Sequence, residues 1–486
     1  MTAGAHPGAA PEALRLPAAW AAAALAAGAA AGLGAVLLPQ PYLAVVGPAA
    51  ALLAVLVVID ADWALGAVAA FSVLNLANVA TDFHGAPTLF LPLLALIATG
   101  IAYRWIARGE QPAGGGRAAV FVTVYAAAAV ASLLSAADFA AGRVEADSLL
   151  KDGALAVLTG LLLHHSEALR RVVWVMVGCG AALATLTCFQ FLTGSFDGNF
   201  LGFGQSAVQN IVGGVDDVRI SGPIGDPNFY AQWLVMLTPL ALDRAFGEPR
   251  RFLRLAAWYA AAAMSASVIF SFSRGGALAL AAVTLLMLTR PPVRGRMLVA
   301  IAVAVVLALP FLPAGYLARL NALGQVGTVE STTDVSIRGR TAEAGAGWAM
   351  FLDHPFIGVG LGNYASNYQA YARDLGIEAR RVEREPHNAF LEVGAETGLP
   401  GLAAFGALLG GAFWAVRSAR RRWGEAGRRA EADLAYAVGA ALAGWLVTSL
   451  FLHLDFARPW WLLLGIAFTL PRLAAADATR SREASL

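Results

Sequence analysis

A chain of 486 residues that is 58% hydrophobic and only 14% charged lies far from soluble proteins, in which roughly a quarter of residues are charged. Windows of about 20 apolar residues recur along its whole length, each long enough to cross a hydrocarbon core of about 30 Å. A polytopic membrane protein is expected; a soluble enzyme is excluded, and with a net charge of +2 no nucleic-acid partner is expected.

Taken in chain order, fourteen spans are predicted near residues 17–38, 41–59, 63–79, 87–105, 118–138, 151–166, 172–193, 228–246, 253–272, 275–290, 297–313, 388–416, 433–453 and 459–474. The Ala-rich segment after Arg15 is too long for a signal peptide and reads as the first span. Cys179 and Cys188 fall in one predicted helix about 13 Å apart along its axis, so they cannot pair.

Several short connections are basic: Arg104, Arg108 and Arg117; Arg170 and Arg171; Arg244, Arg250, Arg251 and Arg254; Arg290, Arg294 and Arg296; and RSARRRWGEAGRR from Arg417 to Arg429. All fall on one side of a fourteen-span count. The positive-inside rule makes that side the cytoplasm, with both termini there. The expected organisation is therefore a transmembrane bundle over 1–313, an outer loop over 314–387, transmembrane helices over 388–474 and a cytoplasmic tail over 475–486. The long loop contains two helix-like stretches, TAEAGAGWAMFLDHP and NYASNYQAYARDLG, separated by GVGLG. Its bland reading is a lid without chemistry, but loops longer than about 15 residues are usually functional or disordered, and this one is too aromatic for disorder.

Against this charge bias, two arginines stand on the outer side. Arg274, in SFSRGGALAL, lies at the seam of two apolar segments, where an arginine has to be compensated by a cavity, a partner or a ligand. Gly275 and Gly276 keep the backbone uncrowded at a helix start, whose free N–H groups favour an anion. Arg219 begins RISGPIGDPNFYA in a Gly-rich loop, with Asp226 and Pro227 suited to the N-cap and first position of the next helix. Two outer arginines facing one cavity suit a diphosphate, because each guanidinium presents a planar fork to phosphate oxygens. A snorkelling or structurally paired arginine is the competing reading.

In EPHNAFLEVGAETGLPG, where the long loop re-enters the membrane, His387 follows Pro386 and is expected in the first turn of the new helix, where the dipole disfavours imidazolium. Asn388, Glu392 and Glu396 recur every four residues and form a polar stripe that should line a cavity, or pair with distant arginines. GVGLGN at 358–363 lacks the spacing and the preceding strand of a nucleotide loop and reads as turns.

Four motifs in order resemble the O-antigen ligase and O-antigen polymerase superfamily over roughly residues 200–415. They are the R-x-x-G-P and DPN of Arg219 to Asn228, SRGG from Ser273, the loop stretch RGRTAEAGAGWAMFLDHPFIGVGLGNY from Arg338, and His387-Asn388 followed after nine residues by Gly398-Leu399-Pro400-Gly401. The resemblance implies an all-α, GT-C-like polytopic membrane fold with one large periplasmic loop. It implies a metal-independent, cofactor-free glycosyltransferase that takes glycan from undecaprenyl diphosphate at the periplasmic face of the bacterial inner membrane. The acceptor it implies is lipid A-core for a ligase, the next repeat unit for a polymerase, or protein in relatives. Carried over by position, His387 matches the essential histidine, Arg219 and Arg274 match the arginines that hold the donor diphosphate, and Arg338 and Arg340 match a looser basic pattern; Asn388 joins them as a substrate-binding candidate. The alternative from another class is a transporter or flippase of lipid-linked sugars, which predicts mid-membrane charges and broken helices in both halves of the chain.

Overall fold

The computed structural model describes residues 43–211, 215–290, 335–376, 384–454 and 458–483. The expected spans 17–38 and 297–313, loop residues 314–334, Arg294, Arg296 and the side chain of Arg338 lie outside what is described.

The described chain is mostly helical: α1 (Leu43–Ile59), α2 (Ala61–Val73), α3 (Leu76–His84), α4 (Phe90–Arg108), α5 (Gly116–Ala131), α6 (Phe139–Leu162) and α7 (Ser166–Thr193) precede a hairpin. After the hairpin come α8 (Pro227–Gly247), α9 (Arg251–Phe270), α10 (Arg274–Leu288), α11 (Val335–Asp353), α12 (Tyr364–Asp374), α13 (Ala389–Glu425), α14 (Arg429–Ser449) and α15 (Arg458–Glu483). Every expected span within the described residues coincides with helix. Seven helices, however, are long and apolar enough to cross a membrane, or eight if α2 and α3, bent by 54°, count as one span. The expected count over the same residues was twelve. The rest depart for visible reasons: α1 and α10 are only 17 and 15 residues long, and α6 begins at Phe139, well before the expected Lys151, and so takes in Arg143, Glu145 and Asp147.

Helix α8 shows how polar residues are accommodated inside the bundle. It is buried along almost its whole length, so Gln232, Thr238, Asp243 and Arg244 meet protein rather than lipid. It packs on α9, α10 and α14. Small residues allow the close approach: a Cβ on Gly276 of α10 would stand 2.7 Å from Ala231, and one on Gly444 of α14 would stand 2.9 Å from Val235. A second set of contacts joins α13 to α5, α14 and α15, and the two loop helices α11 and α12 dock on the start of α13. Cys179 and Cys188 are both free, as their spacing along α7 requires.

The departure from helix is a two-stranded antiparallel hairpin, β1 (Gln205–Ile211) and β2 (Val215–Gly222), in which Arg219 pairs with Ala207. Arg219 therefore sits on a strand rather than in an irregular loop.

The two ends of the bundle differ in charge chemistry. At one end, Arg290 of the α10 terminus bridges Asp243 of α8 and Asp433 of α14, each at 2.6 Å, while Arg170 meets Glu248 at 2.6 Å and Arg428 meets Asp477 at 2.6 Å. These arginines come from the basic connections that the sequence assigns to one side. The other end lies about 31 Å away along the 21 residues of α8 and holds Arg219, Arg274 and His387.

Candidate active site

Arg219 is brought to this end by β2 and is buried. Its Nε donates to the Ser271 carbonyl at 2.9 Å and an Nη to Asn228 Oδ1 at 3.0 Å. As expected, Asp226 caps α8, accepting from the Asn228 and Phe229 N–H groups, with Pro227 opening the helix. The Asn228 side chain is left to receive Arg219. The DPN stretch thus starts a helix and fastens an arginine.

Ser271 ties this corner to Arg274. Between α9 and α10 the chain turns through Phe272, a buried non-glycine residue at φ +55°. Ser273 then caps α10 by accepting from the Gly276 N–H at 3.2 Å, which makes Arg274 the first helical residue, half-buried. The glycines behind it have a packing reason: a Cβ on Gly275 would press on Phe451 at 3.1 Å.

His387 stands on the far side of the segment 450–454. The helix cap is Asn388, whose Oδ1 accepts from the Phe390 and Leu391 N–H groups at 3.1 and 3.0 Å, so His387 lies just before α13 rather than in its first turn. Its Nδ1 is 3.1 Å from Glu343 Oε2 and 3.2 Å from the Glu385 carbonyl. Glu343, on α11, is buried, and Arg384 approaches its other oxygen at 3.7 Å. The His387 ring faces the ring of His453 with centroids 6.1 Å apart, and His453 meets Phe229 edge-on at 4.9 Å. Burial, with His387 alongside, pushes the His453 pKa down to about 4 against the opposing pull of Asp226 and Glu343. This imidazole is neutral at neutral pH.

The 450–454 segment is the ridge that joins both sides. Leu450 accepts from Asn388 Nδ2, Phe451 packs on Gly275, His453 lies between His387 and Phe229, and the Leu454 N–H is held by the Glu392 carboxylate. Glu396, one turn further, accepts from the Gly362 and Tyr364 N–H groups at 2.9 and 3.0 Å. Of the polar stripe, Glu392 and Glu396 line a cavity and Asn388 does not, and the two glutamates accept from backbone N–H groups. GVGLG turns through positive φ at Gly358, Gly360 and Gly362 and laces into α13 where that helix breaks at Gly398. There the Val359 and Gly360 N–H groups donate to Ala395 and Glu396, and the Leu399 N–H donates to Pro355.

Of the sequence candidates, Arg219, Arg274, His387 and Asn388 are brought around this ridge. Arg340 is half-buried on α11, three residues before Glu343. Glu343 and His453 escaped the sequence reading. The available signals were a glutamate one helical turn after Arg340 and a histidine in the apolar run LFLHL at a span end.

Residues 259–406 match the family model described as O-antigen ligase. That stretch contains Arg274, Arg338, Arg340, Glu343, His387 and Asn388, while Arg219 and His453 are brought to it from outside by the hairpin and the ridge. No curated protein matches the chain. The stretch that carries His387 and Arg274 is therefore similar to the O-antigen ligase family.

Proposed function

We propose that the chain transfers glycan from undecaprenyl diphosphate to an acceptor hydroxyl, with inversion and without a metal, at the periplasmic face of the bacterial inner membrane. The observation that carries this reading is the juxtaposition, across one ridge, of a two-arginine corner and a carboxylate-backed histidine at the end of the bundle remote from the paired arginines. The acceptor oxygen attacks the anomeric carbon as that carbon's bond to the diphosphate oxygen breaks. The hydroxyl proton passes to His387, and the departing diphosphate is stabilised by Arg219 and Arg274, each charge-assisted hydrogen bond contributing about 1.5–3 kcal/mol. Glu343 at Nδ1 would hold the imidazole so that Nε2 meets the acceptor. Lipid A-core and a further repeat unit both present such a hydroxyl, so ligase and polymerase share this chemistry.

The end rich in paired arginines is taken as cytoplasmic. A reporter fused after Gly424 is expected to read cytoplasmic; the opposite signal would put the histidine ridge on the wrong side of the membrane for this donor.

One observation favours transport: helices are broken in both halves, between α2 and α3 and at Gly398. Yet protein fills both breaks, with Asn75 Nδ2 donating to the Pro223 carbonyl and the 355–360 strap lacing the second. Purified chain with a lipid-linked glycan decides the matter. A transferase releases undecaprenyl diphosphate, and Arg219→Lys and Arg274→Lys lower that release because ammonium lacks the fork; a transporter leaves glycan and lipid joined. Near-normal transfer by the double lysine variant would remove the diphosphate role.

A further inference from the structure

The loop helix α11 has three faces with different neighbours. One face runs along the start of α13: Glu343 stands 3.1 Å from His387, and a Cβ on Gly347 would meet Leu391 at 3.0 Å. Further along, a Cβ on Gly394 would meet Phe351 at 3.5 Å, and the Leu399 N–H donates to the Pro355 carbonyl at 2.7 Å. Contacts every four residues in rising order set the two helices side by side in the same direction. A second face carries Ala346 and Met350 into a small core with Tyr364, Tyr368 and Ala372 of α12.

The third face is exposed and apolar. It holds Ala344, Gly345, Trp348 and Leu352 and continues beyond the helix into Phe356 and Ile357; Trp348, Leu352 and Phe356 are 56%, 59% and 74% exposed. From Ala344 to Leu352 the helix has no charged residue. The neighbouring α12 instead turns Ser366, Arg373 and Asp374 outward. Water suits the face of α12, whereas a contiguous aromatic and aliphatic stripe calls for an apolar cover.

Its position tells what that cover is. Leu399, bonded to Pro355, opens the exposed face of α13 beyond the break at Gly398. That face continues through Ala403, Ala407 and Trp414 without a charge as far as Arg417, on a helix long and apolar enough to cross a membrane. The α11 stripe is therefore continuous with a surface that meets acyl chains. At its other end the shared contact reaches Asn388, which donates to the carbonyl of Leu450, one residue past the spanning helix α14. Helix α11 thus lies along the end of the bundle where spanning helices terminate.

We propose that α11 is an interfacial helix, with Trp348, Leu352 and Phe356 seated in the bilayer leaflet at this end of the bundle and α12 facing water. An apolar face buried at the boundary of headgroups and acyl chains, with an aromatic ring at that depth, is how such helices bind membranes. The outer loop expected over 314–387 is then partly in the bilayer. The membrane surface also sets the level of the helix that carries Glu343 to His387.

The test uses the full chain in vesicles of phosphatidylcholine and phosphatidylglycerol. Nitroxide labels are placed on Trp348→Cys, Leu352→Cys and Ala370→Cys, each combined with Cys179→Ala and Cys188→Ala. Oxygen, which concentrates among acyl chains, is expected to relax the labels at 348 and 352 severalfold more than a water-soluble nickel chelate does. On α12, at 370, the order is expected to reverse. In parallel, wild-type chain is photolabelled by a phospholipid with a diazirine in its acyl chain, and peptide mapping is expected to find adducts over residues 344–357 and none over 366–374. The photolabel needs no substitution and decides the matter if a cysteine variant fails to fold. Stronger relaxation by the chelate at 348 and 352, or no adduct over 344–357, puts the stripe in water and overturns the proposal. Labels shielded from both relaxants overturn it as well, because protein, from this chain or a second copy, then covers the face.

Discussion

Glu343 Oε2 lies 3.1 Å from His387 Nδ1, joining a buried carboxylate on α11 to a partly exposed imidazole at the head of α13. The contact sets a carboxyl group of the loop helix beside the histidine, whose Nδ1 pairs with the Glu385 carbonyl. Glu343→Gln keeps the shape but loses the charge that would balance a proton taken up at Nε2. It is expected to lower kcat on the order of 100-fold, with the donor KM little changed, the low end of what general-base catalysis contributes. Steady-state rates on protein of wild-type melting temperature check this; an unchanged kcat would reduce Glu343 to packing.

How far the sequence discloses the site depends on whether a residue's meaning is local. Arg219 and Arg274 stand out because outer-side cations oppose the membrane charge bias, and Asp226 with Pro227 announces a helix start by chemistry confined to four residues. Glu343 and His453 are silent because their significance comes from partners on other helices, which periodicity does not encode. The hairpin around Arg219 hid for a different reason: the glycines of the stretch suggested an irregular loop, whereas Gln205–Ile211 and Val215–Gly222 pair as strands. The span count is legible only in part, because a helix such as α8 keeps polar residues against helix neighbours rather than lipid and so reads as less apolar.

The strap at Gly398 yields a stability prediction. This residue has φ +65°, and a Cβ there would stand 2.7 Å from the Phe356 carbonyl carbon and 2.8 Å from the Pro355 oxygen. Gly398→Ala is expected to cost at least about 3 kcal/mol, combining backbone strain with a clash against main chain that cannot swing away. Gly406→Ala, on the same helix with nothing within 4 Å of its Cβ, is the control and is expected to be neutral or slightly stabilising. Paired thermal melts in one detergent separate the two.

His453 yields a pH prediction. Burial holds its pKa at about 4, below the roughly 6.5 of an unfolded histidine. Between these values the unfolded chain binds a proton that the folded chain does not, so stability falls as pH drops from about 6.5 towards 4 and is intact above. The loss attributable to this group is about 2 kcal/mol at pH 5. His453→Phe, which can keep the edge-on contact with Phe229, is expected to lose less melting temperature between pH 7.5 and pH 5 than the wild type. Equal losses would show that other groups govern the acid response.

Adjacent residues with different work give the sharpest comparison. Asn388 closes the first turn of α13 through the Phe390 and Leu391 N–H groups and reaches the Leu450 carbonyl, so Asn388→Ala is expected to cost about 1 kcal/mol of stability, as lost caps do. His387 caps nothing, and its side chain is 29% exposed. Removing it leaves the helix start intact, so His387→Ala is expected to melt close to wild type. Its turnover is expected to fall about 10²- to 10⁴-fold, the usual effect of losing a general base. Donor affinity should hold, because the arginine corner lies across the ridge and keeps its own partners, Ser271 and Asn228. Melting temperature, donor binding and initial rate measured on the same two preparations distinguish the roles. A His387→Ala protein that turns over normally removes the residue from the chemistry, and one that no longer binds donor moves it to the diphosphate.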